Sequence, residues 1–154
     1  MIDTPQIVET KAQLTAVIHL QIPRERMQHE FGPAMNELLA TLATQGIEPK
    51  SAAFAYHLRM PPGQFDFELG FVVEDTVAAT GRVKASQLPA TKVARTVHHG
   101  GYEELPEAWN SFQKWMKAQD LKQDEGLWEL YFVGPQSTTQ ESEYQTQLNR
   151  PLLD

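Results

Sequence analysis

The hydrophobic period of this chain changes from two to 3.6 and back to two, and it does so twice. Leu14, Ala16, Ile18, Leu20 and Ile22 alternate with Thr15, Val17, His19 and Gln21, which predicts a strand with one buried face that ends at Pro23. From about Glu25, Phe31, Ala34, Met35, Leu38 and Leu42 follow the spacing of one helical face, stopped by Gly46 with Pro49 beyond it. Pro33 lies inside that pattern, so either the first turn is irregular or the helix begins there. Phe54 to Met60 and Phe65 to Val73 then alternate on either side of Pro61-Pro62-Gly63, the signature of a hairpin.

The second round begins after a polar connector, residues 76–91, with one short strand around Val83. Val93, Arg95 and Val97 form a strand, and Leu105, Ala108, Trp109, Phe112, Trp115 and Met116 mark the clearest helix. Leu127 to Val133 (LWELYFV) is a strand bounded by glycines, residues 136–143 are a polar loop, and Tyr144, Thr146 and Leu148 predict a last edge strand. One constant shift places Met35, Leu38 and Leu42 on Trp109, Phe112 and Met116. The chain is therefore expected to be one α+β domain of two related βαββ halves, about 12–75 and 92–152. Their helices pack on an antiparallel sheet, with a ligand groove at a pseudo-twofold junction.

Composition narrows the function classes. Lys and Arg number 13 against 20 Asp and Glu, a net charge of −7, which argues against a phosphate-backbone partner. Cysteine is absent, and with it disulfides, thiolate nucleophiles and Cys-based metal sites. No basic-then-apolar leader is visible, and no apolar run reaches the roughly 20 residues of a membrane helix, so a cytoplasmic protein is expected.

Glu129 is the most informative residue. It stands among Leu127, Tyr131 and Val133 on one side of an apolar strand, where a carboxylate is costly to bury without a partner. Three readings are open: an exposed residue on a half-solvated strand, a pocket carboxylate for a cation, or a general acid or base with a raised pKa. Tyr56, Tyr102, Tyr131 and Tyr144 with Trp109 supply the residue types of a cage for flat or quaternary cations. His98 and His99 face opposite ways on a strand and cannot chelate one metal as a pair, and no other histidine spacing suggests a metal site. Gly100-Gly101 lacks the context of a nucleotide motif, and no cofactor is expected. Glu103 and Glu104 suit a first helical turn.

The run HHGGYEEL, the Trp-containing helix, WELY, and a polar loop ending in Gln145-Thr146 and Pro151 resemble the GyrI-like small-molecule-binding family. That family includes effector-binding domains of AraC-type and MerR-type multidrug regulators and stand-alone gyrase-inhibitor-like proteins. The match is best over residues 83–152 and continues more weakly through the first half. The resemblance implies a duplicated, SOUL-like α+β fold, with the family's buried glutamate on Glu129, its tyrosine on Tyr102 and its threonine on Thr146. Tyr56, Trp109, Tyr131 and Tyr144 come from the strand and helix reading alone. The expected function is stand-alone binding of lipophilic cationic or aromatic molecules. One alternative is hydrolysis of strained cyclopropane-bearing natural products using Glu129, and another is a protein-interaction role such as gyrase inhibition. With no residues left over for a helix-turn-helix, direct DNA binding is not expected.

Overall fold

The computed structural model describes residues 1–135 and 137–153. The chain forms β1 (Gln6–Glu9), β2 (Gln13–Pro23), α1 (Met27–Thr44), β3 (Phe54–Arg59) and β4 (Gln64–Val72), followed by β5 (Val83–Leu88), β6 (Lys92–His99), α2 (Leu105–Ala118), β7 (Leu127–Val133) and β8 (Gln145–Pro151). The strands pair antiparallel, and the two helices make this an α+β fold. Two compact units divide the chain: Lys11–Ala90, and Met1–Thr10 together with Thr91–Asp154.

In the Lys11–Ala90 unit the strand order is β3-β4-β2-β5. Ala16, Ile18 and Leu20 of β2 are buried with Phe67 and Leu69 of β4, and α1 packs on these strands through Ala34, Met35, Leu38 and Leu42. The alternation of β2 thus hides one row under the helix, as its period requires. Gly70 sits where a Cβ would meet the Ala16 carbonyl oxygen at 2.4 Å, so the strand needs a glycine there. A 3-10 turn, Arg24–Arg26, precedes α1, and the helix runs through Pro33 rather than starting at it. Pro33 is exposed, so the carbonyl that loses its intrahelical donor can turn to water.

In the other unit the order is β1-β6-β8-β7. Helix α2 lays Ala108, Phe112 and Met116 on Ala94, Leu148 and Leu152, and this fully apolar cluster is the unit's core. In each unit the strands before and after the helix flank the strand that follows them, β4 in one and β8 in the other, and one further strand, β5 or β1, joins the outer side of β2 or β6.

One sequence expectation needs correction, and one strand was not foreseen. Strand β8 is no edge, because it pairs with β6 on one side and β7 on the other and extends to Pro151. The short strand expected around Val83 is β5, six residues long, with its buried residues Val83 and Leu88 at its ends. Strand β1 was not anticipated. It is mostly exposed and is held by backbone pairing with β6, which leaves no hydrophobic pattern to read. The polar loop over 136–143 includes Gln136, which lies outside the described residues; Glu141–Glu143 form a 3-10 turn.

Candidate functional site

Strand alternation puts Glu129 and Tyr131 on the same side of β7, and pairing sets Glu129 opposite Leu148, a residue of the α2 core. Trp109 lies one turn before Phe112 on α2, with its ring centroid 5.6 Å from that of Phe112. From there the indole N–H donates to Oε2 of Glu129 at 2.6 Å, and the Tyr131 hydroxyl donates to Oε1 at 2.8 Å. Glu129 is 8% exposed, so the exposed-strand reading fails. Among the described residues no lysine, arginine or histidine forms an ion pair with it.

Aromatic rings extend the site. Gly100, at φ +134°, turns the chain after β6 in a conformation that side-chain-bearing residues rarely adopt, and its N–H donates to the Tyr144 carbonyl at 3.0 Å. A 3-10 turn, Tyr102–Glu104, follows and delivers the Tyr102 ring 5.6 Å from Tyr131 and 5.1 Å from Tyr144. Tyr102, Tyr131 and Trp109 are half-buried, and Tyr144 is buried.

Burial pushes the Glu129 carboxyl above its ordinary value, and the donated bonds from Trp109 and Tyr131 oppose that rise without cancelling it. The Tyr131 phenol is held well above its ordinary range, by burial first and by the neighbouring carboxylate next. Burial also raises Tyr102, with Tyr144 and Glu129 adding to the effect. The site therefore stores a proton on Glu129 more readily than water would allow. It can take up a positive charge by releasing that proton, or act as a carboxylic acid beside a phenol.

Thr146 lies opposite both Tyr131 and His98 on the same row of the sheet, and both Thr146 and His98 are fully buried. Among the described residues the Thr146 hydroxyl and the His98 Nδ1 have no hydrogen-bond partner. The two histidines diverge as alternation demands: His98 Nε2 lies 3.3 Å from the Gly101 carbonyl, while exposed His99 meets Asp3 at 3.0 Å. Glu103 and Glu104 occupy the 3-10 turn before α2, with Glu104 3.7 Å from His98. Tyr56 belongs to the Lys11–Ala90 unit, on β3 opposite Glu68.

The sequence reading passed over that unit's own polar residues. Asp66, 4% exposed, accepts from His19 Nε2 at 2.5 Å and from Arg59 Nε at 2.6 Å. Glu68 accepts from Ser86 at 2.7 Å, and buried His57 stacks on Phe67 with its Nδ1 unpartnered among the described residues. The signal was the pair of acids alternating with Phe65, Phe67 and Leu69 in FDFEL. An open, polar cavity of about 430 Å³ beside His99, Val133 and Gln145 contains none of the predicted site residues.

Against this geometry, the family model for the GyrI-like small molecule binding domain matches residues 3–152. None of the curated proteins matches the chain. Among solved structures, the EcmrR C-terminal domain superposes with a TM-score of 0.84 at 17% identity, covering 98% of each chain. The EcmrR chain solved in a complex with DNA gives 0.82 at 18% identity, and this chain, 97% covered, spans 57% of its length. The structure of SAV2435 bound to tetraphenylphosphonium gives 0.68 at 12% identity over 98% of this chain and 94% of that one. A hydrolase from Listeria innocua gives 0.70 at 12% identity over 97% and 91%. At these identities the likeness is one of fold.

Proposed function

Because the chain belongs to the GyrI-like small-molecule-binding domain family, we propose that its ligands are lipophilic cations received at Glu129. One observation carries the reading: a carboxylate that is 8% exposed is bonded to an indole and a phenol and ion-paired to no basic side chain among the described residues. A buried anion without a counter-ion is costly, so the empty site favours the protonated form, and an incoming cation supplies the missing charge. The half-buried rings of Tyr102 and Tyr131 offer apolar area and negative π-faces to the same cation. The tetraphenylphosphonium carried by SAV2435 is a cation of that class.

Titration calorimetry with tetraphenylphosphonium and with neutral triphenylphosphine oxide tests it. Wild type is expected to prefer the cation, and Glu129→Gln to lose that preference while keeping its affinity for the neutral compound. Equal cation affinity in the two proteins overturns the role of Glu129.

A second reading rests on the 2.8 Å bond between the Tyr131 hydroxyl and Glu129, since a carboxyl of raised pKa beside a phenol suits general acid–base work. The fold likeness to the Listeria innocua hydrolase supports it. A strained cyclopropane-bearing substrate converted over many turnovers, rather than held one to one, would select this reading.

A further inference from the structure

The face of the β1-β6-β8-β7 sheet turned away from α2 carries a cation of its own. Ala94 and Leu148 point into the α2 core, so their neighbours Arg95 and Asn149 project the other way. The Arg95 Nε donates to Oδ1 of Asn149 at 2.6 Å. Asn149 is fully buried and is itself fixed, its amide nitrogen donating to Gln147 Oε1 at 3.2 Å and to the Trp128 carbonyl at 3.4 Å. That chain of bonds aims the guanidinium, and among the described residues its two terminal nitrogens have no hydrogen-bond partner. No carboxylate there lies within ion-pair distance of it. Arg95 is half-buried, and burial lowers its pKa with no acidic neighbour to offset the loss.

Register places the row Arg95–Asn149–Trp128 beside the row Val97–Gln147–Leu130. The guanidinium fork thus shares its face with Val97 and Leu130, with Gln147 between those two and Gln6 of β1 opposite Arg95. The fork matches a planar two-oxygen anion, and Val97 and Leu130 match a hydrocarbon tail. With a single positive charge in these rows and an acidic protein around it, a monoanion fits better than a phosphate dianion.

We propose that this face binds an apolar monocarboxylate, with Arg95 clamping the carboxylate and Asn149 positioning Arg95. The site is independent of Glu129.

Titration calorimetry of the full chain with octanoate, 1-octanol, octylammonium and octyl phosphate tests it. Octanoate is expected to bind at least about tenfold tighter than 1-octanol, a preference abolished in Arg95→Met and reduced in Arg95→Lys, whose ammonium lacks the fork. Glu129→Gln should leave octanoate binding unchanged, and Arg95→Met should leave octylammonium binding unchanged. Circular dichroism reports whether Arg95→Met folds; if it does not, Arg95→Lys decides alone. No octanoate binding, no preference over 1-octanol, or equal octanoate affinity in wild type and the deciding variant overturns the proposal. Octyl phosphate binding more tightly than octanoate overturns the assignment to a monocarboxylate.

Discussion

The indole of Trp109 on α2 donates to the carboxylate of Glu129 on β7 at 2.6 Å, so one hydrogen bond joins the helix to the strand at the centre of the site. The same indole packs against Phe112 in the core. Trp109→Phe keeps an aromatic ring against Phe112 and removes the donor. It should cost about 1–2 kcal/mol where Glu129 is ionised and less where it is protonated, because a donor to a charged acceptor is worth more. The Glu129 pKa should rise further, since this bond opposes the effect of burial. Urea unfolding at pH 8 and pH 4 measures the difference, and an equal loss at both would contradict it.

Glu129 makes stability depend on pH with a definite sign. Its folded pKa is raised above the ordinary 4.5, so the folded chain holds this proton more tightly than the unfolded chain. The resulting stability is fully present below about 4.5 and is lost as pH rises through the folded value. Glu129→Gln cannot ionise and should gain on wild type over that window. A saturating cation should reverse the trend by favouring the carboxylate, with proton release on binding. Calorimetry in buffers of different ionisation enthalpy counts those protons, and a count unchanged by Glu129→Gln would remove the linkage.

Much of this was legible wherever burial has a period. The α2 pattern was readable because one face of the helix is dry, and LWELYFV because an apolar run stands between glycines. Glu129 stood out for the complementary reason, as an acid placed on a row of apolar residues. What escaped was held by backbone or by distant partners. Strand β1 and the middle of β5 bury little side chain, and the position of β8 between β6 and β7 depends on pairing that no local pattern encodes. Trp109 was singled out as one aromatic of a cage, yet its bond to Glu129 joins two elements far apart in sequence. Arg95 read only as one of the alternating residues of a short strand, since its missing counter-ion is a fact of three dimensions.

Asp66 predicts the opposite pH behaviour in the other unit. The bond from His19 first, and that from Arg59 next, hold its carboxyl below the ordinary value. Stability from this source is present above about 3.8 and is lost as pH falls through the folded value. Asp66→Asn should cost about 1–2 kcal/mol at pH 7, because it weakens two charge-assisted bonds of a buried group. The loss should shrink towards pH 3. Thermal unfolding of both proteins across that range checks it, and a pH-independent difference would mean that the carboxylate's charge plays no part.

His57 gives the sharpest acid response. It is 5% exposed, stacked on Phe67 with ring centroids 5.1 Å apart, and its Nδ1 has no partner among the described residues. Burial lowers its pKa from 6.5 to about 4, the charge of Arg24 adds to that shift, and Asp66 opposes it. As pH falls from 6.5, the unfolded chain takes up this proton before the folded one does. Stability is therefore present above 6.5 and is lost progressively down to about 4, a total of about 3 kcal/mol. His57→Phe keeps a ring against Phe67, removes an unsatisfied polar atom and cannot be protonated. Its stability should exceed that of wild type by a margin that widens from pH 6.5 to pH 4. Glu129 pulls the other way across the same interval, gaining stability as pH falls, so the wild-type curve is a difference of two slopes. The test is therefore made in a Glu129→Gln background, where that opposing slope is removed. If adding His57→Phe there leaves the slope between pH 6.5 and pH 4 unchanged, the acid response belongs to another group.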